Sequence, residues 1–147
     1  MARRVFFSFD YAHVWKVNQI RSMPSITGTA VAGFQDASLW EEAKRKTDKE
    51  IKKMIDKALE NTSVTLVCVT YGTSTRKYIN YEIDESLARG NGLLGVQIHH
   101  LKDPNHPPGS PGAIPSQIES NGFKGYNYTN KEALARWIEE AAKLAGK

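Results

Sequence analysis

Two stretches of the sequence carry side chains whose type and spacing suit chemistry. The first, Val5 to Tyr11 (VFFSFDY), sets a hydroxyl, Ser8, and a carboxylate, Asp10, at the end of an aromatic run. In the second, Tyr78, Ile79, Glu82, Ile83, Ser86 and Leu87 fall at helical spacing, so Glu82 lies on or beside the stripe that faces inward. A carboxylate in that place either pairs with a neighbouring cation, Lys77 or Arg89, or serves a site. A third group, Asp36, Ser38 and Trp40, stands in FQDASLW. Each has a structural alternative. Asp10 suits a helix cap, Asp36 and Ser38 suit turns, Trp40 suits a hydrophobic staple, and Phe9 and Tyr78 suit a core.

Several other chemistries lack their residues. No GxGxxG follows the first apolar run and no GxxxxGK[ST] occurs, which removes the usual dinucleotide fingerprint and the P-loop. There is no CxxC. His99, His100 and His106 near Asp103 lie in a proline-rich stretch without regular ligand spacing, so no metal is expected. Cys68, the single cysteine, sits inside an apolar run and reads as a buried, inert thiol in a reducing compartment. A receiver domain needs an aspartate at the end of its third strand, where this chain has Val69, Thr70 and Tyr71. A flavin-binding flavodoxin needs a hydroxyl- and glycine-rich loop after strand one, where this chain has SFDYAHVW.

The elements that must position these residues follow from periodicity. Val5 to Phe9 reads as a buried strand, and Tyr11 to Ser22, with Val14, Val17 and Ile20, as a helix that Asp10 caps. The Ser25 to Thr29 stretch reads as a loop before a weak strand at Ala30 to Phe34. Thr47 to Leu59 is a helix with an apolar face of Ile51, Met54, Ile55, Ala58 and Leu59; Thr47 and Glu50 have capping-box spacing. Val64 to Val69 is too short for a buried helix and long enough for one buried strand. A turn at Tyr71 to Ser74 leads into the Glu82 helix, which Arg89, Gly90, Asn91 and Gly92 close. Leu93 to Ile98 is a fourth strand and Phe123 to Tyr126 a short fifth. Between them, residues 99–117 hold five of the six prolines and read as irregular. Ala133 to Ala145 closes the chain as a helix with Leu134, Trp137, Ile138 and Ala141 inward.

Strands alternating with helices imply a parallel sheet covered on both faces, because right-handed crossovers lay helices against it. The expected architecture is α/β: a flavodoxin-like three-layer sandwich with a mostly parallel sheet of about five strands, in a single domain over residues 1–147. Ligands of such sheets bind beyond the carboxyl ends of the strands, where strand order reverses. That rule gathers Phe9, Asp10, the Asp36 to Trp40 segment and Tyr71 to Ser74 around one crevice, with the first turn of the Glu82 helix beside them.

Composition bounds the partners. Apolar content of 40% with 24% charged residues is that of an ordinary globular protein. No apolar run approaches the roughly 18 residues of a membrane span. The apolar part of MARRVFFSFD is interrupted by Ser8 and Asp10, which argues against a signal peptide and for a cytoplasmic protein. The formal charge of +4 is spread among acids, as in EEAKRKTDKEIKK, so nucleic acid is not an expected partner.

At these residues the sequence resembles a known family. VFFSFDYAHVW is similar to the opening strand and box of TIR domains. RKYINYEI is similar to their aromatic-x-x-x-Glu helix, with Tyr78 where tryptophan is common and Glu82 at the glutamate. The TIR-like proteins of the Thoeris antiphage system are closer still, with counterparts of FFSFDY, FQDASLWEEA, INYEI and ARGNGLLG over most of the chain. The departures are Tyr78 itself and the long SMPSITGTAVAG connection.

The resemblance implies cleavage of NAD at the nicotinamide–ribose bond and formation of a cyclic ADP-ribose signal. NAD is then a substrate, and no cofactor is expected. Glu82 is implied as the catalytic residue, with Ser8, Phe9, Asp10, Tyr11, Asp36, Ser38 and Tyr78 around the substrate. A carboxylate near the ribose suits this reaction because it stabilises the oxocarbenium-like sugar left when neutral nicotinamide departs. Phe9, Tyr11 or Tyr78 suits the cationic nicotinamide ring. Arg76, Lys77 or backbone amides near Gly72 suit the pyrophosphate. The implied partners are a downstream effector reached through the nucleotide product, a phage-derived trigger and further copies of the chain. The competing reading is a TIR-like scaffold or nucleotide-binding module that works by self-association, which has no need of Glu82.

Overall fold

A computed structural model describes residues 3–21, 26–30, 45–103 and 109–147 of the protein. Among them five strands form one sheet: β1 (Arg3–Ser8), β2 (Ile26–Ala30), β3 (Val64–Val69), β4 (Gly92–Gln97) and β5 (Lys124–Asn127). All neighbours are parallel, in the order β2-β1-β3-β4-β5. The helices are α1 (Val14–Asn18), α2 (Asp48–Leu59), α3 (Lys77–Ala88), α4 (Ser116–Ser120) and α5 (Lys131–Leu144), with 3-10 turns at Tyr11–His13 and Thr73–Thr75. This is the flavodoxin-like α/β architecture that the alternating periodicities imply.

The two-residue period of a strand sorts its side chains between the faces of the sheet. Val5, Phe7 and Phe9 join Val64, Leu66, Cys68, Leu94 and Val96 on one face, closed by Val17 and Ile20 beside α1 and by Leu134, Ile138, Ala141 and Ala142 of α5. On the other face Phe6 packs with Ile55 and Leu59 of α2. Val67, Val69 and Leu93 pack there with Ile79 and Ile83 of α3 and Ile118 of α4. Every residue of β3 and β4 is buried, as befits interior strands of a parallel sheet.

Local chemistry sets the ends of the elements. Thr47 and Glu50 form the expected capping box on α2: the Glu50 N–H donates to Thr47 Oγ1 at 3.2 Å, and the Thr47 N–H to Glu50 Oε1 at 3.3 Å. Those bonds from Thr47 hold the Glu50 carboxyl below its ordinary range. Asn61, after α2, has φ 63°, and Gly90, after α3, has φ 75°, the left-handed conformation that ends helices. Asn130 caps α5 by accepting the Ala133 N–H at 2.8 Å.

Three details differ from the sequence reading. Strand β2 lies in the Ser, Thr and Gly stretch read as a loop, because pairing with β1 outweighs its weak strand propensity; residues 31–34 fall outside the described residues. The first helix opens as a 3-10 turn, and Asp10 caps that turn, its Oδ1 accepting the Ala12 N–H at 3.1 Å. Trp137, as expected, packs against the core; it is half-buried and stacks on Tyr126, rings 4.3 Å apart and 9° from parallel. The proline-rich stretch ends in α4, which begins after Pro115 and anchors itself through buried Ile118.

The segment leading to α4 is tied down over the carboxyl end of β3. The Gln97 amide both donates to the Gly112 carbonyl, at 2.5 Å, and accepts the Gly112 N–H, at 3.1 Å. A Cβ on Gly112 would stand 1.9 Å from the Thr70 carbonyl oxygen, so only glycine allows this approach.

Candidate active site

β1 has β2 on one side and β3 on the other, so the chain leaves it in opposite directions and the switch point, where sheets of this kind bind ligands, lies at the carboxyl ends of β1 and β3. Ser8 ends β1, and α3 packs across the same end. The inward stripe of α3 is Ile79, Glu82, Ile83 and Ser86, all buried. Glu82 and Ser8 are each 0% exposed, and the Ser8 hydroxyl donates to Glu82 Oε1 at 2.6 Å. Residues 74 positions apart thus meet at the switch point.

A buried polar seam continues from this pair. The Ser86 hydroxyl donates to the Glu82 carbonyl at 2.6 Å and lies 2.6 Å from Thr65 Oγ1 on β3. The proton of Ser86 is used on the carbonyl, so Thr65 is the donor to Ser86. Asn91 reaches Thr62 Oγ1 at 2.9 Å and Thr65 Oγ1 at 3.5 Å, and Thr62 donates to the Leu59 carbonyl at 2.6 Å. Ser86 had a sequence signal, its place on the Glu82 stripe; Thr65, inside a continuous apolar run, had none.

The other residues singled out by sequence divide. Asp10 stands at the mouth, its Oδ2 2.9 Å from Arg76 Nη2 at the start of α3. Phe9 is 2% exposed and belongs to the core on the face of the sheet opposite α3, in line with Val5 and Phe7. Tyr78 is half-buried between α3 and α2: its ring packs with Phe6, Ile55 and Leu59, and its hydroxyl donates to Asp48 Oδ1 at 2.9 Å. Asp48 also receives Lys77 at 2.7 Å and Lys52 at 3.2 Å. Together the bonds from Lys77, Tyr78 and Lys52 lower its carboxyl to about 2. Burial, and then the Asp48 bond, raises the Tyr78 phenol. Tyr11 opens the 3-10 turn after β1. Asp36, Ser38 and Trp40 lie outside the described residues.

The turn that delivers α3 is built by its own threonines. The Thr70 N–H donates to Thr73 Oγ1 at 2.8 Å, the Thr73 N–H returns to the Thr70 carbonyl at 3.1 Å, and Gly72 between them has φ 85°. Asn80 draws the turn onto the helix through the Ser74 and Arg76 carbonyls, both at 3.0 Å. Tyr71 at its tip is 78% exposed.

Sequence gave no sign of Lys16, which is 2% exposed with its ammonium 2.7 Å from the His99 carbonyl. Burial lowers the His99 imidazole, helped by His100 and Lys16. His100 pairs with the Tyr128 carbonyl at 2.8 Å. Among the described residues no three His, Cys, Asp or Glu side chains gather as a metal site. Burial pushes the Cys68 thiol up, which makes it a poor nucleophile at neutral pH.

Comparison with known proteins agrees with this architecture. The sequence profile of the Thoeris protein ThsB, TIR-like domain, matches residues 6–103, from the middle of β1 to beyond β4. A Bacillus cereus (strain MSX-D12) protein named "Putative cyclic ADP-D-ribose synthase ThsB1" is 42% identical over 106 residues, which are 70% of this chain and 55% of that relative. The chain thus spans about half the length of the curated relative it matches. With the carboxyl half of β1, all of β3 and the Glu82 helix inside the matched region, the chain belongs to the TIR-like domain family of the Thoeris protein ThsB.

Proposed function

We propose that the protein is an NAD-consuming enzyme of antiphage defence that breaks the nicotinamide–ribose bond and joins the remaining ADP-ribose into a cyclic signal. The observation that carries this reading is the Glu82 carboxylate, buried at the switch point and held by Ser8 at 2.6 Å. The name of the Bacillus cereus relative supports the cyclic product.

The reaction asks little of the protein beyond placed charge. When the glycosidic bond breaks, its electron pair stays on nicotinamide, which leaves neutral, and the ribose becomes cationic. A carboxylate in a site screened from water stabilises that cation far more than one in solvent. Capture by a nucleophile of the same molecule gives a cyclic product; capture by water gives the linear one. Arg76, at the mouth on Asp10, is a surface pair of the kind worth about 0–1 kcal/mol, so the pyrophosphate of NAD displaces Asp10 from it at little cost. Asp36 and Ser38, from the segment after β2, Tyr11 after β1, and Tyr78 complete the proposed surroundings of the substrate, while Phe9, in the core on the opposite face of the sheet, is left out of them.

Glu82 has no exposed surface, so substrate reaches it when a neighbouring segment moves. A carboxylate closed to solvent suits an enzyme silent until a phage-derived trigger acts and whose product switches on a separate effector. The test incubates purified protein with NAD, with and without lysate of infected cells, and resolves the products. Cyclic ADP-ribose with free nicotinamide is expected in the triggered sample. Intact NAD in both samples would leave the scaffold reading, for which self-association is the measurement.

A further inference from the structure

We propose that Ser8 is a positioning residue for Glu82: it holds one carboxylate oxygen to β1, while the seam of Ser86 and Thr65 fixes the helix turn that carries the glutamate. The inference deepens the NAD-cleaving reading and rests on it for its activity measurement.

Ser8 has one hydroxyl proton, and that proton is committed to Glu82 Oε1 at 2.6 Å. A substrate-binding role, the one implied by sequence, asks the same hydroxyl to face outward. The geometry points it at the carboxylate instead.

A hydroxyl at this place is not a neutral choice of filler. Ser8 lies on a buried strand between Phe7 and Phe9, opposite Val67 of β3. A hydroxyl buried among such neighbours is unfavourable unless it is hydrogen-bonded, and an apolar residue is the default for the position. Glutamate needs the tether for a complementary reason. Its carboxylate swings on three side-chain torsions, and a donor on a rigid strand selects one orientation before substrate arrives.

The backbone below the carboxylate is held as firmly. Ser86 binds the Glu82 carbonyl and Thr65 binds Ser86, each at 2.6 Å, so α3 is tied to β3 one turn after Glu82 while Ser8 ties the side chain to β1. Two adjacent, paired strands therefore set the glutamate from both ends, β1 through Ser8 and β3 through Thr65 and Ser86.

The experiment compares Ser8→Ala and Ser8→Thr with the parent by two readouts. The infrared difference spectrum between the parent and Glu82→Gln isolates the Glu82 carboxyl band without any turnover. Ser8→Ala is expected to move that band, and Ser8→Thr, which restores a hydroxyl, to return it toward the parent position. With triggered protein and NAD, Ser8→Ala is expected to lower kcat about tenfold to a hundredfold, the scale of a misplaced reacting group. KM stays within about twofold, because the substrate itself loses no contact. An unmoved band in folded Ser8→Ala protein overturns the proposal. So does a rise in KM at constant kcat, which would make Ser8 a substrate contact. If the parent does not consume NAD, the proposed activity fails and the infrared band alone decides the role of Ser8. If Ser8→Ala does not fold, Ser8→Cys, close in volume and a weak donor, takes its place in both readouts.

Discussion

A buried glutamate on an amphipathic helix is the residue on which the proposed chemistry turns. Glu82→Gln preserves shape and hydrogen-bonding capacity but removes the charge that faces a cationic ribose in the proposed reaction. An interaction made mainly in the transition state appears as lost turnover with binding retained. The expected outcome is a folded protein with product formation abolished, checked by circular dichroism and product chromatography; undiminished NAD consumption would pass the role to Asp10 or Asp36. Asp48 offers a test by pH. Lys77, Tyr78 and Lys52 lower its folded carboxyl from 3.8 to about 2. A carboxylate depressed by folding contributes stability above its unfolded value and loses it as pH falls through the folded value. The melting temperature of the parent should therefore fall more steeply between pH 4 and 2 than that of Asp48→Asn, and the difference should shrink in high salt, because Asp48 is solvent-exposed. Equal slopes for the two proteins would remove the network.

At the scale of elements, β3 and α2 carry opposite lessons. β3 is buried from end to end, and Val67 has no exposed surface. Val67→Asp places an unpaired charge in the core, at a cost of several kcal/mol against a total stability of about 5–15 kcal/mol. Loss of the cooperative melt is expected by calorimetry; a variant that melts like the parent would deny that β3 is interior. α2 is held at its start by an exposed box, so Thr47→Ala should lower stability by only about 1 kcal/mol. In a domain of this length that is a fall of roughly 2–4 °C in Tm, measurable in the same instrument. Both elements were legible in the sequence. The Val64 to Val69 run has strand length, and Thr47 with Glu50 has the spacing of a cap whose atoms all lie within four residues. β2 was not, since its strand state depends on backbone bonds to β1 that its own composition does not announce.

Across the whole molecule, the order β2-β1-β3-β4-β5 sets the switch point at β1 and β3, and α3 packs against both strands. The proposed NAD binding there is separable from the proposed chemistry by using Glu82→Gln, which is expected to retain the site and leave its ligand intact. A ligand at about 100 times its Kd stabilises the folded state by about 2.7 kcal/mol. NAD should then raise the Tm of Glu82→Gln by several degrees, read by thermal shift across a concentration series. A Tm unmoved by millimolar NAD, in the presence of the trigger, would place the substrate elsewhere.

What the sequence determined by itself is local in origin. Strand and helix periods differ, caps and turns use neighbouring residues, and each declares itself within a window of a few to a dozen positions. Hence the alternating α/β order and the inward stripe of Glu82 and Ser86 were both readable, whereas the sequence reading kept Ser8 and Phe9 together at one site. Which face of β1 meets which helix was not, because that depends on strand order and on where each crossover lands. Only the tertiary structure sends Phe9 into the core beneath α1 and α5, gives the Tyr78 hydroxyl to Asp48, and brings Ser8 within 2.6 Å of Glu82. The physical reason is that burial of apolar surface is non-directional: it requires both faces of the sheet to be covered, and the long-range packing of the whole chain decides which helix covers each.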